Sequence, residues 1–394
     1  MSDATELKRH PGRVAIFTDT ARPEFNGVAF TLDRLVGHLK LRGWRVAMIA
    51  PAPFEPPTTG VDVTIELPCT PVPFIRESRA AWGPRRVDLA TLRAFKPDVV
   101  HVATEFAVGW SGRRFARQHG IPLITSSHSD FPAFFESWGF GALAPVTWRW
   151  MRACHRDASL TLCPSRYYIR RLRAHGFRGD LRLWPRGVDA ERFDPAHRTE
   201  DTRRKLAPGA DYILLFVGRI ATEKRVDLLL DAFVRIKSST MHRVALVIVG
   251  IGPSLSRLRA RAPAGVSFTG HLQGAELARV YAAGDIFLFP SDTETFGNVV
   301  LEAMASGLAP IVADRGGVTE LVKLNINGLM ATSGSAESFA AQALRLLNDE
   351  PGRQRLAMQA RQDALARRWT PLLDGVLEYY EEARSATTTA QSCK

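Results

Sequence analysis

Cysteine is scarce: four stand in the 394 residues (Cys69, Cys154, Cys163 and Cys393), with no C-x-x-C pair and no zinc-like spacing. That excludes a disulfide-stapled scaffold and a zinc finger, and reads as a reduced protein with small buried thiols, Cys393 lying in a tail. Long hydrophobic runs are missing too. No apolar stretch approaches the roughly 20 residues of a membrane span, and the opening MSDATELKRH is polar, without a signal-peptide core. The expectation is a cytoplasmic chain that touches a membrane at most peripherally, from its inner face. Also absent are G-x-G-x-x-G, a Walker A loop, H-E-x-x-H, G-x-S-x-G and any Asp-x-Asp pair. No nicotinamide fingerprint, P-loop, zinc protease motif or nucleophile elbow is present, so no cofactor is expected, and no Asp-x-Asp pair suggests a metal.

Acidic residues are in deficit, 40 against 52 basic ones, for a net charge of +12. Arginine far outnumbers lysine. Such a field favours anionic partners: nucleotide phosphates, an anionic membrane or nucleic acid. A solvated arginine-rich surface is the competing reading, and charge alone does not choose.

The length suits two domains of roughly 150–200 residues each. Strand-like runs alternate with helical patterns, which predicts an α/β fold with parallel sheets. Val14–Thr18, Val46–Ala50, Val63–Leu67, Val99–Val102, Leu123–Ser126 and Leu160–Cys163 read as strands of a first sheet. Ile213–Val217, Val244–Val249, Val266–Thr269, Ile286–Phe289 and Ala309–Val312 restart the pattern. The polar segment Asp194–Asp211, with Pro195 and Pro208, reads as the linker. This divides the chain into residues 1–195, 196–370 and a C-terminal piece, 371–394. In that piece Leu372–Glu382 is helical and the Ser/Thr/Ala-rich stretch after Arg384 is a frayed tail. Open α/β sheets bind ligands at the carboxyl ends of their strands, which places the chemistry in a cleft between the two domains.

The most informative segment is Ser291-Asp-Thr-Glu-Thr-Phe-Gly-Asn-Val-Val-Leu-Glu302. It follows a strand, turns at Thr295-Phe296-Gly297 and starts a helix at Asn298. Free N–H groups and the helix dipole make that start an anion site. Glu302 lies one turn in, at ribose distance, and Glu294 precedes the turn. Read alone, these are two surface carboxylates near a helix start, where acids are favoured anyway.

Phe216-Val-Gly-Arg-Ile-Ala-Thr-Glu-Lys-Arg225 also follows a strand. Gly218 permits a sharp turn, and Arg219 and Lys224 would project together to neutralise a diphosphate leaving group. The first strand runs into Asp19 and then Asn26-Gly27-Val28, where backbone can approach a phosphate closely. Gly250-x-Gly252-Pro253 is a weaker signal. His128, in Ser127-His-Ser-Asp130, ends a strand and would face the cleft, with Glu105 a lesser candidate.

Together these motifs resemble the retaining GT-B glycosyltransferases of family four, over nearly the whole chain and in the right order. Within it the pattern is similar to the subfamilies of GDP-mannose-dependent α-mannosyltransferases and plant-type sulfoquinovosyl-diacylglycerol synthases. The resemblance implies two Rossmann-like doubly wound domains facing across a cleft, with the C-terminal helix crossing back onto the first. It implies that Arg219 and Lys224 bind the diphosphate of a GDP- or UDP-sugar, completed by the Gly27 amide and the helix start Asn298-Val299-Val300. Gly218, Phe296 and Gly297 would line the same donor site. Glu302 would hold the ribose, Glu294 the sugar hydroxyls, and His128 would touch the sugar near the reacting carbon. Asp19, Asn26 and Asp130 would serve the acceptor or orient neighbours, Asp130 orienting His128. The implied chemistry is front-face attack with no metal and no enzymic nucleophile.

Phe134, Phe135, Trp138, Phe140, Trp148, Trp150 and Met151 form an aromatic run beside Arg149 and Arg152, followed by arginines from Arg166 to Arg178. Such a face suits anionic lipid headgroups and a lipid or glycan acceptor. Packing of the aromatics in the first domain's core is the alternative. A GT-B nucleotide-sugar epimerase is a rival function. A basic nucleic-acid binder is a poorer one, for want of any recognition motif, so no nucleic-acid partner is expected.

Overall fold

A computed structural model describes residues 11–24, 26–57, 59–72 and 75–392. The first ten residues and Cys393 lie outside them. Among these described residues fifteen strands follow in chain order. In the first half these are β1 (Arg13–Phe17), β2 (Arg45–Pro51), β3 (Val63–Leu67), β4 (Cys69–Val72), β5 (Ile75–Ala81), β6 (Val99–Val102), β7 (Leu123–Ser126), β8 (Leu160–Cys163) and β9 (Leu181–Leu183). In the second they are β10 (Tyr212–Val217), β11 (Val244–Val249), β12 (Val266–Gly270), β13 (Ile286–Phe289), β14 (Ala309–Ala313) and β15 (Leu329–Ala331).

Seven of them form a parallel sheet in the order β3-β2-β1-β6-β7-β8-β9, and six form a second in the order β12-β11-β10-β13-β14-β15. β4 and β5 make a separate antiparallel hairpin. The central strands β6, β7, β8, β13 and β14 are buried along their whole length, as parallel strands covered by helices on both faces must be. Each sheet reverses its strand order once, between β1 and β6 and between β10 and β13. Those are the switch points at which crevices open above the carboxyl ends.

The segment expected to be a linker is ordered structure of the second half. Thr199 caps a helix, Glu200–Leu206, by accepting from Thr202 N. From it Arg203 reaches the Asp285 carboxylate at 3.0 Å and the carbonyls of Ala283 and Asp211. The chain crosses between the sheets earlier, where Val188 N donates to Arg367 O at 3.0 Å. Its return crossing therefore lies alongside: a Cβ on Gly187 would sit 2.7 Å from Trp369 N.

The final helix runs Trp369–Ser392, through the stretch expected to fray. Trp369, Leu373, Val376, Tyr380 and Ala383 are buried at alternating spacings of four and three, one apolar stripe laid on the first sheet beside Trp44 and Trp184. Asp374 pins it to the first helix (Gly27–Leu41), accepting from Arg42 at 2.9 and 2.7 Å and bonding His38 at 2.7 Å.

Candidate active site between the two sheets

On the second sheet the turns after β10 and β13 stand side by side at the switch point. The β10 turn is supported from below: a Cβ on Gly250 would fall 1.9 Å from Gly218 O, so only glycine lets the two loops meet. That is the use of the Gly250-x-Gly252 pair. Lys224 projects from the β10 turn and pairs with Glu294 of the β13 turn. Ser291 Oγ donates to the same Glu294 oxygen at 3.1 Å. Arg219 is half-buried, and its buried Nε has no hydrogen-bond partner among the described residues. Gly297, at φ +104°, ends the β13 turn with a conformation that L side chains resist, and Asn298–Ala305 is helical behind it. Phe296 is buried beneath the turn. Asn298 and Val299 are half-buried and Val300 is buried. Within the helix Glu302 accepts from Tyr281 Oη at 2.9 Å, and burial pushes its carboxyl up to about 7.

On the first sheet, Asn26 caps the helix Gly27–Leu41 by accepting from Val28 N and Ala29 N at 3.1 and 2.9 Å. Gly27 faces the second sheet closely, with a Cβ placed there only 3.3 Å from Asn298 Nδ2. Two helix starts thus converge from opposite domains, beside the cationic β10 turn. The N–H groups left uncapped there among the described residues, of Gly27 on one side and of Asn298 and Val299 on the other, join the positive dipole ends to suit one anionic group.

Several sequence candidates turn out to hold backbone in place. Asp19 accepts from Thr104 Oγ1 at 2.7 Å and from Val108 N and Gly109 N at 2.8 and 3.3 Å, tying the β1 turn to the start of helix Ala107–His119. Burial raises its carboxyl above the usual range. Asp130 caps helix Phe131–Ser137 through Ala133 N and pairs with Arg171. It is not the orienting partner of His128 that was expected, because both ring nitrogens of that histidine bond to other groups, Arg186 and Ser126. Glu105 is buried, accepting from Ser127 Oγ at 2.9 Å with His155 Nε2 at 3.3 Å.

His128 is 9% exposed at the end of β7, and both its ring nitrogens are engaged internally. Arg186 Nη2 lies 2.6 Å from Nδ1, and Ser126 Oγ lies 2.9 Å from Nε2. Burial, with Arg186 beside it, holds the imidazole well below its ordinary pKa. What His128 offers the opposite domain is its carbonyl, which accepts from Thr295 Oγ1 at 2.7 Å. Ser165 Oγ donates to Thr295 O at 2.6 Å, so the β13 turn is docked on the first domain from both sides.

Family models match both halves: "Glycosyltransferase Family 4" over residues 25–192 and "Glycosyl transferases group 1" over residues 197–363. A GDP-mannose-dependent alpha-mannosyltransferase of Mycobacterium tuberculosis is 37% identical over 381 residues, covering 96% of this chain and 98% of that one. The chain belongs to the family 4, group 1 glycosyltransferases. The sulfoquinovosyl transferase SQD2 of Arabidopsis thaliana is 32% identical, over 73% of this chain and 57% of that one. Among solved structures, a sucrose-phosphate synthase from Thermosynechococcus elongatus superposes with a TM-score of 0.79 at 22% identity, covering 95% of this chain and 100% of that one. This likeness identifies the GT-B fold.

In this glycosyltransferase the sequence motifs did not reveal every contact between the domains. Glu320 accepts from Arg166 N at 3.0 Å and from Tyr167 N, so a carboxylate of the second domain caps a helix (Arg166–Ala174) of the first. Trp138 Nε1 donates to Glu223 Oε2 at 3.1 Å. No local motif marks the contacts of Glu320 with Arg166, Ser165 with Thr295 or Arg186 with His128; each spans more than 50 residues, beyond the reach of spacing rules. The aromatic run splits. Trp148 and Met151 are buried with Tyr168, Leu172 and Phe177, whereas Phe140, Leu143 and Val146 are exposed along one corner with Arg149. No helix among the described residues is long and apolar enough to cross a membrane.

Proposed function

We propose that the chain is a retaining hexosyltransferase that moves mannose, or a related hexose, from a GDP- or UDP-linked donor to a lipid or lipid-linked glycan. The observation that carries this reading is the convergence of two helix starts, at Gly27 and Asn298, beside Arg219 and Lys224. The relatives that use GDP-mannose, and the alpha-monoglucosyldiacylglycerol synthase of Streptococcus pneumoniae at 28% identity, support the donor and the lipid acceptor.

The donor diphosphate would lie between the helix starts, taking Lys224 from Glu294 and filling the open valence of Arg219. Freed from the lysine, Glu294 would accept from sugar hydroxyls, while Glu302 accepts from the ribose. As the anomeric bond breaks, negative charge builds on the departing phosphate, where the two cations and the helix N–H groups are already aimed. These residues supply the charge that a divalent ion supplies elsewhere, so transfer is metal-independent. The acceptor enters on the same face and passes its proton to the leaving phosphate oxygen, which retains the anomeric configuration.

The exposed corner of Phe140, Leu143 and Val146 with Arg149 would rest on an anionic membrane and bring the first domain to its lipid acceptor. The test is transfer from a panel of GDP- and UDP-sugars in EDTA, with and without lipid extract, followed by analysis of the product's anomeric configuration. Turnover in EDTA that needs lipid and yields the donor's anomer is expected. Activity only with added metal, or an inverted product, would overturn the mechanism.

A further inference from the structure

Arg186 is a costly residue where it stands. It is 4% exposed, and no carboxylate lies within ion-pair distance among the described residues. Among those residues its charge is met by the Trp184 carbonyl at 2.6 Å, the face of the Trp184 ring at 4.7 Å and His128. An apolar side chain would fill that space more cheaply.

What Arg186 does for its neighbours follows from its chemistry. A guanidinium only donates, so His128 Nδ1 must be the lone-pair nitrogen and the ring proton must sit on Nε2. Nε2–H then donates to Ser126 Oγ. The other hydrogen-bond partner of that hydroxyl among the described residues is His101 Nε2, at 3.0 Å, which therefore receives the serine proton. His101 must carry its own proton on Nδ1 and donate it to Tyr380 Oη, 2.6 Å away. One fixed charge thus orders the two ring protons and the serine proton along Arg186–His128–Ser126–His101–Tyr380, with each member between 0% and 9% exposed. Burial keeps His101 neutral, lowering its pKa to about 3.

The two ends of this chain matter. Arg186 directly precedes the outbound crossing at Gly187–Val188, and Tyr380 lies on the helix that follows the return crossing. At its cleft end stands the carbonyl on which Thr295 docks. We propose that Arg186, Ser126, His101 and Tyr380 are positioning residues that hold His128 in one tautomer and orientation, so that its carbonyl meets Thr295 when the donor turn closes on the first domain. The catalytic half of this inference rests on the transferase reading; the proton order does not.

The full chain with ¹⁵N-labelled histidine tests both halves, by ring-nitrogen shifts and by kinetics. The wild type is expected to show His128 as the Nε2–H tautomer and His101 as the Nδ1–H tautomer. In Ser126→Ala, His128 keeps its tautomer because Arg186 still donates to it, while His101 becomes a mixture. The transfer kcat of that variant falls roughly 10- to 100-fold while nucleoside diphosphate affinity, measured by calorimetry, stays within about twofold. Ser126→Thr, which keeps the hydroxyl, restores both readouts. A wild-type His128 protonated on Nδ1 or exchanging between tautomers would overturn the proposal, needing no variant to fold. Full-rate transfer by Ser126→Ala would overturn it too. Failure of the wild type to bind any nucleotide would instead overturn the transferase reading.

Discussion

The two domains share a fold and differ in what they bury. The second has one continuous apolar core, from Ile213 on β10 to Leu356 and Ala360 in the helix Glu350–Leu365. The first divides its apolar residues among four smaller clusters, and polar groups fill the middle of its sheet: His101, Thr125, Ser126, Ser127, His128, His155, Thr161 and Glu105 are all buried. A dry core resists deformation and holds the Arg219, Lys224 and Glu302 constellation steady. A polar core is held by directional bonds, so it gains a unique arrangement at the risk of leaving groups unpaired. On the reading proposed above, the uniform half would hold the donor and the half with the polar core would meet the acceptor.

Substitutions can break or sharpen this contrast. The largest effect is expected where the second domain is driest. Leu288→Ala on the fully buried β13 should cost about 2–5 kcal/mol, read as a lower denaturant midpoint. At the rim of the same domain, Lys224→Ala and Arg219→Ala should each cut turnover by roughly 10²-fold, about 3 kcal/mol, with little change in melting temperature. Near-normal rates in both would place the diphosphate elsewhere.

Glu302 brings the contrast under pH control. Its folded pKa, about 7, lies above its unfolded value. Stability is therefore fully present at pH 4 and is lost as pH rises toward 7, so Glu302→Gln should melt higher than wild type at pH 8 and equally at pH 4. If Glu302 holds the ribose as proposed, its ionised form is the stronger acceptor, so nucleotide affinity should rise about tenfold from pH 6 to pH 8 in the wild type and stay flat in the variant. The smallest effect lies on the first domain's exposed corner. Val146→Ser should weaken binding to anionic vesicles by roughly two- to tenfold while changing stability by less than about 0.5 kcal/mol. Unchanged flotation would remove the membrane from that face.

Sequence pattern located the strands that carry the site because their apolar runs are long and end in turn residues. Leu181–Leu183 and Leu329–Ala331, only three residues each, and the hairpin β4–β5 escaped it. The linker reading failed for a definable reason. Pro195 opens a short helical turn behind its Asp194 cap, and Pro208 follows the end of the next helix, positions where proline is tolerated. The final helix outran its expected end because Ser, Thr and Ala without Gly or Pro do not stop a helix. In the candidate site, turn motifs marked the residues proposed to hold the donor, each set by a few neighbours. The chain from Arg186 to Tyr380 was invisible, since its members come together only when β6, β7, the crossing after β9 and the last helix have all assembled.

The side-by-side crossings at Val188 and Trp369 also limit how the gene can be divided. A fragment ending near Asp194 contains every strand of the first sheet, yet lacks the stripe of Trp369, Leu373, Val376 and Tyr380 that roofs Trp44 and Trp184. Such a fragment would expose an apolar trough and leave His101 without its phenol. The stretch from Trp369 to Ala383 belongs by packing to the domain that the ribosome made first, so the amino-terminal half completes its core only after the whole second domain has been synthesised.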